Sequence, residues 1–339
     1  MRKALFTLFL IMFVEIISAQ IGGQSTYQFL NLVTSPRQAA LGGKVITNFD
    51  SDVAQGLFNP ASINNDMDNQ LALNYGNYLG NVNYGSATYA YQYDRYVNTI
   101  MAGITYVNYG SFDGRDEYGN DTGSFSGSET AVSVGWAYDI PWSDFRVGAN
   151  VKYIYSSFES YNSMGGAFDL GLMYVNDKLD FNAAIVVRNI GVQFTTYAGL
   201  QESLPLEVDL GLSQTLEHVP IRWHLTFEDL QYWNVSFSNP VNSEESLDGT
   251  VTEESDTFFK ELFRHTVIGA ELFPEGNFNI RLGYNFRRSS EGKIEELRSF
   301  SGFSGGFALQ INKTKISYTF ARYTTASHAS LLGVHFNLQ

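Results

Sequence analysis

Runs of about ten residues in which apolar and polar side chains alternate recur along most of this chain, and that periodicity excludes more folds than any other feature. The stretch IRWHLTFE, residues 221–228, sets Ile221, Trp223, Leu225 and Phe227 against Arg222, His224, Thr226 and Glu228. A period of two marks a β-strand whose faces meet different surroundings. FRVGANVKYIY does the same, with Phe145, Val147, Ala149, Val151, Tyr153 and Tyr155 against Arg146, Gly148, Asn150 and Lys152. NIRLGYNFRR opposes Ile280, Leu282, Tyr284 and Phe286 to Arg281, Gly283, Asn285 and Arg287. In a soluble sandwich the apolar face points inward; in a membrane barrel it points to lipid and the polar face lines the lumen.

Fourteen such runs, bounded by Gly, Asn, Asp or Pro, are read at 70–79, 82–94, 97–109, 128–139, 144–155, 164–176, 178–188, 206–215, 220–230, 263–273, 277–288, 301–311, 314–323 and 329–338. Each approaches the roughly 9–11 residues that cross a bilayer at a tilt. Soluble strands are shorter, about 5–6 residues. Short turns at 94–95, 140–143, 176–177, 274–277 and 311–314 separate longer loops at 110–127, 156–163, 189–205, 231–262, 289–300 and 324–328. Short connections on one side and long ones on the other are the outer-membrane pattern. The expected fold is therefore all-β, a 14-stranded antiparallel transmembrane barrel. Arg146, Lys152, Arg222, Glu228, Glu271, Arg281, Arg287, His224 and His335 would face its interior, since charges on the lipid face cost about 2–4 kcal/mol at the midplane. Trp136, Trp142, Trp223, Trp233, Tyr109, Tyr155 and Tyr323 suit interfacial girdles, with ordinary strand packing as the alternative.

Four further features bound the class. Residues 1–19 carry Arg2 and Lys3, an apolar run from Ala4 to Val14 and a small-residue end at Ala19, as a secretory signal peptide does. Residues 20–69 lack the strand pattern and suit a segment that fills or closes the barrel formed by 70–339. The chain has no cysteine, which excludes a lipid anchor on that residue, and a net charge of −14, which argues against nucleic acid as a partner.

No enzyme chemistry is assembled. GFSGG, 302–306, matches G-x-S-x-G, but it lies within a Gly-rich strand with no helix pattern after Ser304, so the nucleophile elbow is not expected. The five histidines show no metal spacing, and no phosphate loop or dinucleotide fingerprint is present, so no cofactor or metal is expected. DGRDEYGND, 113–121, gathers Asp113, Asp116, Glu117 and Asp121 without EF-hand spacing; a solvated acidic loop and a calcium loop are the two readings. The loop 231–262 holds Glu244, Glu245, Asp248, Glu253, Glu254, Asp256 and Glu261 against Lys260, with Trp233, Phe237, Phe258 and Phe259 at its base. Aromatic residues under an acidic tip suit a docking surface; a disordered hydrophilic tip is the alternative. The residues expected to touch a partner are thus Trp233, Phe237, Phe258, Phe259, Glu244, Glu245, Asp113 and Asp116.

SPRQAALGGKVITNFDSDVAQGLFNPASI, 35–63, resembles the N-terminal motif of FadL-like outer-membrane proteins, through Arg37, Ala40, Gly42, Gly43, Asp50, Asp52, Ala54, Asn59, Pro60 and Ala61. Lys44 departs from it, standing where a small residue is usual. The resemblance implies an N-terminal hatch, with Arg37, Gly42, Gly43, Asn59 and Pro60 as its motif, leading into a fourteen-stranded barrel. QIGGQSTYQFLNLVTSPRQAALGG, LALNYGNYLGNVNYGSATYAY, YNSMGGAFDLGLMY and IRLGYNFRR resemble the PorQ family of the Bacteroidetes type IX secretion system. That likeness implies a non-enzymatic outer-membrane anchor with loops at the cell surface. Its implied partners are a PorZ-like surface protein, PorU and PorV in the attachment complex, and outer-membrane lipopolysaccharide. The contrasting expectation is a FadL-like channel for hydrophobic or small solutes.

Overall fold

The computed structural model describes residues 25–78, 82–94, 98–235, 244–245, 251–252, 257–291, 300–322 and 328–339. The expected signal peptide, Phe237, Tyr323 and most of the acids in loop 231–262 lie outside the described residues, as do the side chains of Glu244 and Glu245.

Fourteen strands form the wall: β1 Gln70–Asn77, β2 Asn83–Asp94, β3 Asn98–Arg115, β4 Asp121–Asp139, β5 Phe145–Phe158, β6 Tyr161–Asn176 and β7 Phe181–Thr195. They continue as β8 Glu207–Thr215, β9 Ile221–Phe227, β10 Thr266–Leu272, β11 Phe278–Asn285, β12 Phe303–Ile311, β13 Thr314–Arg322 and β14 His328–Asn337. Each pairs antiparallel with its sequence neighbour, and β1 closes on β14 from Gln70↔Asn337 to Asn77↔Ser330, leaving no free edge. The fold is a closed 14-stranded antiparallel β-barrel. Helix α1, Pro36–Ala40, precedes β1; α2, Phe258–Arg264, precedes β10; α3, Phe286–Glu291, follows β11. Four 3₁₀ turns, Gln28–Asn31, Val53–Leu57, Pro60–Ser62 and Asn65–Met67, complete the N-terminal segment.

The alternation predicted for the strands holds in space. On β5, Val151, Tyr153 and Tyr155 are exposed while Asn150, Lys152 and Ser156 are buried. On β6, Phe168, Leu170 and Leu172 face outward and Asp169 and Met173 inward. A face of Val, Leu, Phe and Tyr that meets no protein is what lipid requires of an outer wall.

Two expected loops are strand instead. Residues 110–127 form the tip of a hairpin in which β3 runs to Arg115 and β4 begins at Asp121, with Phe112 opposite Phe125 and their rings stacked at 5.4 Å. Residues 156–163 reduce to a tight turn between Phe158 and Tyr161, which are themselves paired. These extensions are Gly-, Ser- and Asp-rich, because a ribbon wet on both sides needs no apolar stripe, and the period-two signal therefore fades there. In the other direction, Arg287 is not on a strand: β11 ends at Asn285 and Arg287 lies in α3, bonded to Asp229 and Glu291.

Candidate functional site

Residues 25–69 run inside the barrel, on the face opposite the outward apolar residues. The conformation follows from local chemistry. Pro36 opens α1 at the position where its missing N–H costs nothing. The helix stops at Gly42, whose φ of +98° places it in the region glycine tolerates best, and the Gly43 N–H closes the turn on Gln38 O at 3.2 Å. Asn59 caps the Pro60–Ser62 turn by accepting from Ala61 N at 2.9 Å and donates its amide to Ile46 O at 2.7 Å. Close approach to the wall is built in: a Cβ on Gly148 would lie 2.3 Å from the Pro60 carbonyl carbon.

Contacts tie this segment to the wall on every side. Examples are Gly56 against Met101 of β3, Asn59 against Gly171 of β6, Asn182 of β7 donating to Thr47 O at 3.2 Å, and Ile46 against Gly211 of β8. On the far side, Ser304 Oγ of β12 donates to Ala40 O at 3.0 Å, and Thr319 Oγ1 of β13 donates to Pro36 O at 2.6 Å. Ser304 is therefore a wall-to-segment tether within a strand, not a nucleophile at an elbow.

The charged half of the contact centres on Arg37. Its guanidinium donates through Nε and Nη2 to both oxygens of Glu271, at 2.8 Å each, and through Nη1 to Asp50 at 2.7 and 2.9 Å. Such two-pronged contacts fix orientation as well as charge. Arg281 Nε lies 3.1 Å from Glu271, Arg222 Nη1 lies 3.6 Å from both Asp50 and Glu271, and His224 Nε2 lies 3.4 Å from Glu271. Burial alone would lift the Asp50 carboxyl, but Arg37 and Arg222 outweigh it and hold it well below the usual carboxylate range.

A second cluster lies along β5–β8. Lys44 pairs with Glu207, which also pairs with Arg188; Arg188 reaches Asp209 at 3.3 Å. Lys152 sits 2.8 Å from Asp169 and donates to Asn189 Oδ1 at 2.9 Å. The departure at Lys44 from the family motif is thus explained by a wall carboxylate that needs a cation. Against β1–β4 the same segment is apolar: Val53, Ala54, Leu57, Phe58, Ile63 and Met67 pack on Ala72, Ala90, Met101 and Ala137.

At the end of the barrel carrying the long connections, Tyr27, Tyr109, Phe158, Tyr161 and Tyr197 line an open cleft of about 370 Å³ with Glu129 beneath them. Tyr109 does not join an outer girdle: it points inward and donates to Glu129 Oε2 at 2.5 Å. Burial, aided by the Glu129 charge, pushes the Tyr197 hydroxyl up to about 12, against the bond with Ser156. At the same end, in the β9–β10 connection, three of the four aromatic residues expected at the loop's base come together. Trp233 stacks on Phe258 at 4.8 Å and on His265 at 5.4 Å, and Phe259 meets Phe258 edge-on at 5.7 Å. Phe258, Phe259 and Phe263 remain exposed. His265 orders the base of this loop through Glu228 O at 2.7 Å and Trp233 O at 3.1 Å. Backbone pairing of Glu244–Glu245 with Val251–Thr252 gives the tip a short ribbon.

Asp113 and Asp116 sit apart from that cluster, on the β3–β4 hairpin. Asp116 accepts from the Asn120 side chain and from backbone N–H groups of Asn120 and Tyr118 at 2.8–2.9 Å, which lowers its carboxyl from the ordinary value. Its oxygens close the turn, and among the described residues no group of three or more His, Cys, Asp or Glu is placed to hold a metal.

Two solved transport proteins share this barrel fold. The toluene transporter TbuX of Ralstonia pickettii superposes with a TM-score of 0.53 at 14% identity, over 91% of this chain and 99% of that one. A deltaS2 mutant of the TodX monoaromatic hydrocarbon channel gives 0.54 at 14% identity, over 91% and 100%. No family model and no curated relative matches the chain.

Sequence reasoning placed Arg146, Lys152, Arg222, His224, Glu271 and Arg281 inside, where they are. It missed Glu207, Asp209 and Arg188 as one cluster, and Tyr27, Glu129 and Tyr197 as another. Period two, extended to 128–139 and 206–215, could have marked Glu129 and Glu207 as inward acids, but neither was singled out. It could not name their partners, which come from residues far along the chain.

Proposed function

We propose that this chain is a non-enzymatic outer-membrane barrel of the type IX secretion system. It anchors a PorZ-like surface protein in the attachment complex with PorU and PorV, at a membrane rich in lipopolysaccharide. The observation that supports this reading is in the lumen: Arg37, bonded to Glu271 and Asp50, ties residues 25–69 to the wall, as a hatch would need. A path for greasy solutes needs an apolar passage with few polar groups. Buried charge clusters and a bonded hatch suit a closed anchor better. The partner would dock on the Trp233, Phe258 and Phe259 rim, with the acidic stretch above it and the β3–β4 hairpin bearing Asp113 and Asp116 as a second contact.

The test is a pull-down of tagged protein from outer membranes in mild detergent, with mass spectrometry of the co-purified proteins. Stoichiometric recovery of a large non-barrel surface protein supports the anchor. Deleting 240–256 is expected to leave heat-modifiable, membrane-inserted barrel and to lower partner recovery at least fivefold; full recovery would remove that loop as the dock.

A second reading is a channel for hydrophobic solutes, as the names of the toluene transporter and the hydrocarbon channel suggest. The aromatic cleft at Tyr27, Tyr109 and Tyr197 favours it. Clean, repeated isolation of the barrel alone, with measurable solute uptake, would establish it in place of the anchor.

A further inference from the structure

Glu129 is the unexplained group in this molecule. Its side chain is 4% exposed at the floor of the aromatic cleft. It accepts from Tyr109 OH at 2.5 Å and from Ser156 Oγ at 3.0 Å, and among the described residues it forms no ion pair. Among the described residues every other acid buried to that degree in the wall, Asp169, Glu207, Asp209 and Glu271, has a lysine or arginine against it. A buried carboxylate without a cation is costly unless it takes up a proton or something supplies the missing charge.

The surroundings narrow what that something is. Tyr109 and Phe158 approach with ring centroids 5.2 Å apart, and Phe158 meets Tyr197 edge-on at 6.1 Å. Tyr161 stands at the mouth, half exposed. Aromatic faces attract cations electrostatically and tolerate an alkyl chain beside them. Below the mouth, Tyr27 is held with φ +58°, a strained conformation for a bulky residue, and its hydroxyl is 2.5 Å from Ser163 Oγ. Strain of this kind persists where the surroundings over-determine it, and it clusters at ligand sites. The volume, about 370 Å³, falls at the lower end of small-molecule sites.

We infer that this cleft is a binding site for a primary ammonium group on a slim alkyl stem, with Glu129 taking the charge and the tyrosine rings flanking the stem. The same chemistry is offered by a free alkylamine and by a lysine side chain of a docking protein. The cleft does not depend on the anchor reading, because the bonds that Glu129 accepts from Tyr109 and Ser156 lie within the barrel wall.

The test uses the purified full-length barrel in a nonionic maltoside, titrated calorimetrically with n-butylammonium and with n-butanol as its neutral counterpart. Butylammonium is expected to bind at least tenfold more tightly than butanol, and Glu129→Gln to erase the difference. Heat-modifiability on gels verifies that the variant is folded. Tyr161→Ala, at a half-exposed ring with no structural burden, is expected to weaken butylammonium several-fold. Equal binding of the two probes, no binding of either, or unchanged preference in folded Glu129→Gln overturns the inference. N-acetyl-lysine methylamide separates the sources. Binding at or above the butylammonium affinity supports a partner's lysine, and binding of butylammonium alone supports a free amine.

Discussion

The two halves of the lumen hold the same segment by opposite means. Against β1–β4, Leu57, Phe58, Ile63 and Met67 meet alanines and Met101, a dry contact of small and flexible side chains. Against β8–β11, Arg37 and Lys44 meet Glu271 and Glu207 through directed bonds. The apolar half tolerates sliding, because dispersion is non-directional and methionine adapts to irregular gaps. The charged half does not, because a shift of an ångström breaks a two-pronged contact and leaves a carboxylate buried alone. Position is thus set on one side, and area is filled on the other.

Arg37→Ala tests the positioning side and is expected to have the largest effect. Removing it strips Glu271 and Asp50 of their nearest cation, with Arg281 and Arg222 left to compensate in part. A loss of about 3 kcal/mol is expected, the low end for breaking a buried pair, read by guanidinium unfolding in lipid vesicles. Protease should then cut within 25–69 while the strands stay protected. Met101→Ala tests the filling side. Deleting a fully buried methionine from the Gly56 contact should cost about 2 kcal/mol without exposing the segment to protease. If Met101→Ala released the segment and Arg37→Ala did not, the assignment of roles would be reversed.

The smallest effect is with pH. The Asp50 carboxyl lies below its unfolded value, so its contribution is complete above about pH 4 and is lost only as pH falls through the depressed native value. Between pH 7.5 and 5 this pair should change stability by less than about 0.2 kcal/mol. A marked release of the segment at pH 5.5 would show that other carboxylates hold it.

The wall was legible in the sequence wherever one side faces lipid and the other the lumen. Strands β5 and β11 could be read residue by residue, because Val151 and Lys152, or Arg281 and Leu282, need opposite solvents. The extensions of β3 and β4 were not legible, since Asp113, Gly114 and Ser124 lie in a ribbon without a buried face. The turns of the N-terminal segment were not read from the sequence, although Pro36, Gly42 and Asn59 each suit one backbone conformation. The cleft was hidden because Tyr27, Glu129 and Tyr197 come together only after the barrel has closed. The rim cluster was half legible: Trp233, Phe258 and Phe259 meet, while Asp113 and Asp116 stand on a different hairpin.

Every tether described from residues 25–69 to the wall has its other end later in the chain, as far on as Thr319 and His335. The earliest part of the described chain is therefore the last to be satisfied. Arg37 must wait for Glu271, and β1 must wait for β14 to pair with Gln70 and Asn77. Loop closure over such separations makes assembly slow. A sheet that closes around this segment closes on a surface complementary to its inner face, so the segment serves as a mould as well as contents.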